Sequence, residues 1–179
     1  NYDLNSVDVA INFSTPESAV ENICKALENN IPVISGTTGW LSELETIETL
    51  CEDKEGAFIY ASNFSLGVNI FFELNKYLAK MMRDLTDYNV ELEEIHHTEK
   101  LDAPSGTAIT LAEGIIENRD YNSWELAPAK DSKKLKINAK RYDKVPGTHT
   151  VNYNSNIDRI SLTHTAHNRK GFALGAVVA

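Results

Sequence analysis

Two adjacent histidines, a lysine and a Ser-Gly-Thr turn occur together in residues 96–107. Imidazoles titrate near neutral pH, and an imidazole beside a lysine can deliver a proton or stabilise charge that develops as a substrate reacts. A Ser-Gly-Thr turn is typical of a helix start, where unpaired N–H groups bind anions. Because the formal net charge of the chain is -9, this cationic stretch indicates a small anionic ligand.

Three elements must position these side chains. Apolar and polar residues alternate in residues 90–97, which predicts a half-buried strand with His96 and His97 at its end. The residues that follow contain Asp and Pro without periodicity, and they predict a loop that carries Lys100 back over the same opening. Apolar residues at helical spacing after Thr107 predict a helix that begins at the Ser-Gly-Thr turn.

Each of these residues taken alone also fits an ordinary structural role, as a strand-end histidine, a solvated lysine or a helix-capping serine. Metal ligation is a further alternative, because Glu91, Glu93 and Glu94 stand close to the two histidines. Adjacent residues of a strand point to opposite faces, which disfavours a metal site built from His96 and His97 together. We therefore predict no metal site.

The segment HHTEKLDAPSGTA, residues 96–108, resembles the signature H-H-x-x-K-x-D-A-P-S-G-T-A of the 4-hydroxy-tetrahydrodipicolinate reductase (dihydrodipicolinate reductase) family. The resemblance implies that His96 is the general acid and that Lys100 assists protonation and holds a carboxylate. It also implies a set of substrate-binding residues: His97, Ser105, Gly106 and Thr107. The implied reaction is the NADPH- or NADH-dependent reduction of 4-hydroxy-tetrahydrodipicolinate to tetrahydrodipicolinate, in diaminopimelate and lysine biosynthesis.

The first part of the chain alternates short apolar runs with helical patterns. The runs are residues 7–13, 32–36 and 57–61, and capping-box sequences at residues 14–17 and 42–45 begin the helices between them. This order predicts right-handed crossovers in a parallel sheet covered by helices, which is a Rossmann-like architecture. Ligands of such sheets bind beyond the carboxyl ends of the strands.

The segments that follow these strands are FST, GTTGW and ASNFSLGVN. Each fits a plain connecting turn, but the last two resemble segments of the same reductase family that contact the nicotinamide cofactor. The resemblance implies these cofactor-binding residues: Phe13, Ser14, Gly36, Thr37, Thr38, Ala61, Ser62, Asn63 and Phe64, with Arg169 at a second hinge crossing.

The family also begins with a G-x-G-x-x-G fingerprint, and none follows a strand in this sequence. We therefore expect a missing N-terminal strand-helix-strand unit, so that the Rossmann-like domain is incomplete here, and a missing extreme C-terminus. The residue that chooses between NADPH and NADH would belong to the missing unit, so both cofactors stay open.

The pattern changes after Asn63, where a hinge loop is predicted at residues 64–67. The elements predicted beyond it are a long helix with Leu74, Leu78, Met81, Met82 and Leu85, a surface loop at 120–134, antiparallel strands at 135–142, 149–153 and 159–165, and a helix at 172–179. The predicted domains are a nucleotide-binding domain, residues 1–64 completed by 169–179, and an α+β substrate-binding and tetramerisation domain with an open mixed sheet, residues 65–168. The resemblance implies a homotetramer built through this sheet.

Composition excludes some classes of function. A pI near 5.0 argues against a nucleic-acid or anionic-membrane partner, and the one basic run, residues 130–141, is interpreted as a solvated strand face. Cys24 and Cys51 fall on the apolar sides of helical patterns, which predicts reduced thiols in a cytoplasmic protein. We find no signal peptide and no apolar run that could cross a bilayer.

The leading interpretation is thus an oxidoreductase whose two domains close about the hinges to bring nicotinamide onto a dicarboxylate substrate. Another amino-acid dehydrogenase of the same fold is one alternative, although the two histidines, the lysine and the Ser-Gly-Thr turn suit a compact dianion. The absent fingerprint keeps a second alternative open, a non-catalytic dicarboxylate-binding or assembly module. A metal-dependent hydrolase is the third.

Overall fold

The computed structural model describes residues 6–128 and 131–179. The start of the chain and the middle of the predicted 120–134 loop, at residues 129–130, lie outside the described residues. Contacts divide the chain into two compact units. The first unit consists of the residues up to Phe64 together with Phe172–Ala179, and the second unit is Ser65–Gly171. The second division thus falls after Gly171, compared with the predicted boundary after residue 168. Among the described helices, none has the length and hydrophobicity needed to cross a bilayer.

The first unit is built on a parallel sheet with strand order β1-β2-β3. Its elements in chain order are β1 (Ala10–Asn12), α1 (Pro16–Glu28), β2 (Val33–Ser35), a 3-10 turn (Leu41–Glu43), α2 (Leu44–Asp53) and β3 (Phe58–Tyr60). The predicted strand-helix-strand-helix-strand order is therefore confirmed. The strands are shorter than the apolar runs that predicted them, because hydrogen bonding between neighbours ends after three residues in each.

Helix α1 packs on this sheet through Ala19, Ile23 and Leu27, whose spacing places them on one face. The predicted capping boxes are wrong. Thr15 is the N-cap residue and makes no side-chain cap hydrogen bond, and Ser42 lies inside the 3-10 turn, not at the start of α2. Both cysteines are free and only half-buried.

The second unit combines two helices with a mixed sheet of strand order β5-β6-β4-β7-β8. Its elements in chain order are α3 (Leu66–Met81), β4 (Asn89–His96), α4 (Gly106–Ile116), β5 (Ser123–Leu126), β6 (Lys134–Arg141), β7 (Thr148–Asn154), β8 (Arg159–Thr165) and the first residues of α5 (Lys170–Val178). The mixed sheet is as predicted. Two details differ: β6 runs parallel to β4, and a short strand, β5, lies within the predicted loop and pairs with β6.

The core of the second unit lies between helices α3 and α4 and one face of the sheet. It is formed by Val68, Phe71, Phe72 and Ala79 of α3, Ala108, Leu111, Ala112 and Ile115 of α4, and Val90, Leu92, Leu135, Ile137, Val151 and Tyr153 of the sheet. Of the apolar residues from which this helix was predicted, Met82 is buried in the core and Leu78 packs against it, whereas Leu74 and Met81 are 49% and 55% exposed. The helix is therefore confirmed, and the predicted residues include only part of its core face.

Arg119 holds the segment after α3 to the rest of this unit. Its guanidinium donates hydrogen bonds to the carbonyl oxygens of Met82, Leu85 (3.2 Å) and Tyr88 (2.6 Å). It also lies 5.9 Å from the centre of the Tyr153 ring, a cation-π distance. One side chain thus satisfies carbonyl groups that follow the end of a helix.

We expect Arg119→Met to lower the free energy of unfolding by about 2–3 kcal/mol, because several carbonyl oxygens lose a charged donor while the aliphatic stem is kept. Urea unfolding followed by circular dichroism measures this loss. Arg83→Met is the matched control: Arg83 is exposed and donates to Asn118, so its loss should cost about 0.5 kcal/mol or less. An equal cost for the two variants would contradict the role given to Arg119.

Candidate active site

The core-facing side of strand β4 changes from apolar to polar at the strand's end. Val90 and Leu92 belong to the core, and Glu94 and His96 continue the same row because residues two apart share a face of a strand. Glu94 is 0% exposed and His96 is 7% exposed. The strand therefore delivers a carboxylate and an imidazole to one buried location.

The Glu94 carboxylate is the centre of this location. Its Oε2 lies 3.1 Å from Nδ1 of His96. Its Oε1 accepts one hydrogen bond from the backbone N–H of Ser105 (3.1 Å) and another from Nη2 of Arg141 (3.1 Å). Burial alone would raise the pKa of Glu94, but the hydrogen bonds from imidazole, amide and guanidinium outweigh it and lower the pKa to about 2. The carboxylate is therefore ionised at neutral pH.

His149 of strand β7 lies against the same carboxylate. Its Nε2 is 3.2 Å from Oγ of Ser105 and 3.8 Å from Oε2 of Glu94, and its ring centre is 5.0 Å from that of His96. Burial, with a smaller contribution from the neighbouring imidazole, lowers the pKa of His149 to about 3. His149 is therefore a neutral member of the cluster at neutral pH.

The second ring nitrogen of His96 faces a different neighbour. A Cβ built on Gly147 would lie 3.1 Å from Nε2 of His96, so a side chain there would crowd the ring. Nδ1 is already engaged by Glu94. Nε2, beside a residue without a side chain, is thus the nitrogen that is available to a ligand.

Lys100 lies in the turn after β4, as predicted. Its Nζ contacts both carboxylate oxygens of Asp102, at 2.7 and 2.9 Å, and its backbone N–H donates to the carbonyl oxygen of His97 (3.2 Å). Arg141 donates to the carbonyl oxygens of Lys100 (3.4 Å) and Asp102 (2.6 Å) as well as to Glu94. The arginine that ends the supposedly solvated basic run is therefore part of the site, and that interpretation is wrong for Arg141.

Helix α4 begins next to this cluster. Ser105 is its N-cap residue and accepts a hydrogen bond from the N–H of Ala108 (3.2 Å), as the sequence predicts. Gly106 is the first helical residue, and a Cβ built there would meet nothing within 4 Å. Thr107 is the second helical residue. The start of the helix thus offers open space beside a buried serine.

His97 points away from this cluster, because successive residues of a strand face opposite sides and His96 faces the cluster. Its Nε2 lies 3.0 Å from Nη2 of Arg169. A guanidinium only donates, so His97 Nε2 is the acceptor. The pair lines a cleft of about 480 Å³ that also includes Thr98, Asp143, Lys144 and His167. Arg169 thus belongs to the second unit and contacts a predicted substrate residue.

Those other residues follow the parallel strands of the first unit. The N–H of Ser14 donates to Oγ1 of Thr37 (2.8 Å), which joins the loops after β1 and β2. The Phe13 ring lies over Gly36, where a Cβ would be 2.2 Å from the ring, and its centre is 5.8 Å from that of Phe64. The predicted residues of three successive strand ends are therefore brought together.

The remaining predicted cofactor residues belong to the same loops. Ala61 packs against the cluster that contains Phe64, and its N–H donates to the strand β2 carbonyl of Ser35 (3.3 Å). Ser62 and Asn63 continue from it, and Thr38 is exposed after β2. The carboxyl ends of the strands thus carry mainly small side chains.

Sequence reasoning missed Glu94, Arg141 and His149 as site residues. The spacing of Glu94 and His96, two residues apart on a strand, was a usable signal for a shared face. Arg141 is the strand neighbour of His96, and His149 that of Glu94. These pairings depend on the register between distant strands, which an alternating pattern does not specify.

The cluster also bears on the metal alternative. Glu94, His96 and His149 each place one ligand atom within 4.8 Å of the others, an arrangement that could hold a metal ion. The sequence had suggested His97 as a partner instead, and His97 lies elsewhere. Oε1 of the carboxylate already accepts from Ser105 and Arg141, so only Oε2 would remain for an ion.

Comparison with known proteins identifies similar chains. Residues 2–64 match the family model described as dihydrodipicolinate reductase, N-terminus, and residues 67–179 match the one described as dihydrodipicolinate reductase, C-terminus. The chain is 58% identical to the 4-hydroxy-tetrahydrodipicolinate reductase of Christiangramia forsetii, covering 100% of this chain and 76% of that protein. It is 37% identical to the protein of the same name from Methanocaldococcus jannaschii, covering 96% and 64%.

Among solved structures, a dipicolinate-bound dihydrodipicolinate reductase from Paenisporosarcina sp. TG-14 is similar, with a TM-score of 0.74 and 26% identity. The match covers 95% of this chain and 66% of that one. The chain thus spans between about two thirds and three quarters of the length of these relatives.

Proposed function

This chain belongs to the dihydrodipicolinate reductase family of oxidoreductases, and from that premise we propose that it reduces 4-hydroxy-tetrahydrodipicolinate to tetrahydrodipicolinate with NADPH or NADH. In this reaction the dihydronicotinamide gives a hydride to the ring, the ring takes up one proton, and one water leaves. The observation that carries the proposal is that the HHTEKLDAPSGTA segment folds with its first histidine and its serine on one buried carboxylate.

His96 is proposed as the proton donor, because Nδ1 is engaged by Glu94 and the space beside Nε2 is kept open by Gly147. Lys100 is proposed to hold a substrate carboxylate. Its partner in the structure is Asp102, whose side chain is 58% exposed, and such an ion pair is weak enough to exchange for a substrate carboxylate.

The rest of the substrate site beside His96 is proposed to be the start of α4, with Ser105, Gly106 and Thr107. His97, which contacts Arg169 on the other side of the strand, is proposed as a substrate residue of the adjacent cleft. The first N–H groups of a helix and its dipole favour an anion. The similar Paenisporosarcina protein is described as dipicolinate-bound, and dipicolinate is a dicarboxylate. A compact dianion is thus the class of substrate that these residues suit.

The cofactor residues are proposed to be those of the first unit that the sequence indicated, and they fit the nicotinamide end of NADPH or NADH. The strand ends carry Gly36, Ala61 and Ser62, which have small side chains or none, as is usual for dinucleotide sites at the carboxyl ends of parallel strands. Arg169 is the exception, since its contact with His97 suggests a role beside the substrate instead.

The reaction is tested by following the oxidation of NADPH and of NADH by the protein with its native termini, with substrate generated in place by the upstream synthase. Rapid oxidation with either cofactor supports the proposal. Binding of dipicolinate without oxidation would favour the non-catalytic dicarboxylate-binding module. Oxidation that a chelator abolishes would favour a metal-dependent enzyme built on Glu94, His96 and His149.

Gly36→Ala is expected to raise the KM for the cofactor about tenfold, equivalent to about 1.4 kcal/mol, because the new methyl group displaces the Phe13 ring from the strand end. The KM for the dicarboxylate substrate should stay unchanged. Gly56→Ala in the same unit is the control, since its Cβ would lie 3.3 Å from the end of the Leu27 side chain and 3.5 Å or more from Cys51, far less crowded than at Gly36. A cofactor KM that responds equally in both variants would contradict this placement of the cofactor.

A homotetramer built through the mixed sheet is also proposed. The face of β7 and β8 away from the core carries paired hydroxyls, with Oγ1 of Thr150 and Thr163 3.1 Å apart and those of Thr148 and Thr165 3.4 Å apart. Such a face, with an edge strand beside it, suits pairing with another subunit. Native mass spectrometry tests the subunit number.

The free cysteines and the net charge of -9 support a cytoplasmic protein without nucleic-acid or membrane partners.

A further inference from the structure

Glu94 is a fully buried charge that the proposed reaction does not itself use. We propose that Glu94 is a positioning residue, whose carboxylate holds His96 in the tautomer with its proton on Nδ1 and so directs Nε2 toward the reacting atoms. This inference rests on the proposed function, because it assigns the proton donor to His96.

The first argument is the close contact between the Glu94 carboxylate and the His96 ring. An ionised carboxylate only accepts, and Oε2 of Glu94 lies 3.1 Å from Nδ1 of His96. A proton on Nδ1 is therefore attracted to the carboxylate, whereas a lone pair on Nδ1 would be repelled by it. In the neutral ring Nε2 is then the acceptor, and in the protonated ring the Nε2 proton is the one that can be given to a substrate.

The second argument is that the carboxylate itself cannot turn. Its Oε1 accepts from the N–H of Ser105 and from Arg141, both at 3.1 Å, and these residues come from α4 and β6. Three elements thus fix one carboxyl group. Because Arg141 also donates to the carbonyl oxygens of Lys100 and Asp102, the same arrangement sets the position of the loop that carries Lys100.

The third argument is energetic. Val90 and Leu92 continue from Glu94 along the same face, so an apolar residue at position 94 would extend the core. Replacing a buried ion pair with apolar side chains is often neutral or stabilising. Fold stability therefore gives no reason for a carboxylate here, whereas orientation of a proton donor does. His149, whose Nε2 is 3.8 Å from Oε2, is neutral and does not compete as a cation.

The test is Glu94→Gln. The amide oxygen can accept from Ser105 and Arg141, which turns the NH₂ group toward His96. An NH₂ group donates, so it favours the opposite tautomer, with the proton on Nε2. Long-range ¹H–¹⁵N spectra of the five histidines, with the His96 signals assigned by their loss in His96→Gln, report the tautomer.

We expect Nδ1–H for His96 in the wild type and Nε2–H in Glu94→Gln. We expect kcat to fall at least about a hundredfold. In a serine protease, the carboxylate-to-amide change that gives the catalytic histidine the wrong tautomer lowers kcat by about four powers of ten. The Kd for dipicolinate should stay within a factor of about three, because Glu94 is not placed against the ligand. Glu93→Gln, which alters the half-exposed neighbour paired with Lys140, should change neither the tautomer nor kcat.

A wild-type spectrum with the His96 proton on Nε2 would overturn the proposal without any variant. An unchanged tautomer in folded Glu94→Gln would overturn it as well, and so would an inverted tautomer with wild-type kcat. The tautomer is read without turnover. Absence of NADPH and NADH oxidation in the wild type would therefore reject the proposed function separately from the role of Glu94.

Discussion

Replacing His96 with alanine is expected to lower kcat by about two to four powers of ten, which is the usual contribution of a positioned general acid. Nε2 of His96 is the nitrogen left available after Nδ1 has been engaged by Glu94. The variant should still fold, because the Glu94 carboxylate keeps its hydrogen bonds from Ser105 and Arg141 when the imidazole is removed. Steady-state oxidation of NADPH and NADH measures the loss, and circular dichroism checks the fold.

Lys100→Ala separates proton delivery from carboxylate binding. Lys100 has its charge at the end of a flexible stem and is paired with the exposed Asp102. Its loss should therefore raise the KM for the substrate, weaken the binding of dipicolinate and lower kcat. His96→Ala should reduce kcat with little effect on dipicolinate binding. Unchanged turnover in both variants would remove the proposed active site. Parallel losses of binding would instead mean that His96 is a ligand-binding residue only.

The local parts of the site could be predicted from the sequence because each depends on near neighbours. The alternation that ends at His96, the turn that carries Lys100 and the cap at Ser105 are set by residues a few positions apart. The strand-helix-strand order of the first unit follows in the same way from apolar runs and helical spacing. The prediction of a parallel sheet followed by a mixed sheet has this origin.

The parts that could not be predicted depend on distant segments. Arg141 reaches Glu94 from 47 positions away, because β6 pairs with β4, and the two strands run parallel. An alternating pattern has no direction, so β6 was predicted to be antiparallel. Helix α3 is apolar on more than one side, with Leu74 exposed and Phe71 buried, so the sequence left ambiguous which face packs on the sheet.

Two buried groups of the site give the protein a specific acid sensitivity. The pKa of His149 is lowered from 6.5 to about 3 by burial, so between these pH values the unfolded chain binds a proton that the folded chain does not. Stability therefore falls as the pH drops from 6.5 toward 3. The pKa of Glu94 is lowered from 4.5 to about 2, so its contribution is present above pH 4.5 and is lost as the pH falls toward 2. Above pH 4.5 only His149 of this pair acts.

We accordingly expect the free energy of unfolding to fall by about 2–3 kcal/mol between pH 6.5 and 4.5 because of His149, and His149→Gln to remove this part of the slope. Urea unfolding at several pH values in this interval measures the slope. The pKa of His164 is also lowered by burial, but His164 is present in the wild type and in His149→Gln, so its contribution to the difference between their slopes cancels. His167→Gln, a change at an exposed histidine, should keep the wild-type slope. If His149→Gln kept it too, His149 would carry its charge in the folded protein, which would contradict its place as the neutral member of the cluster.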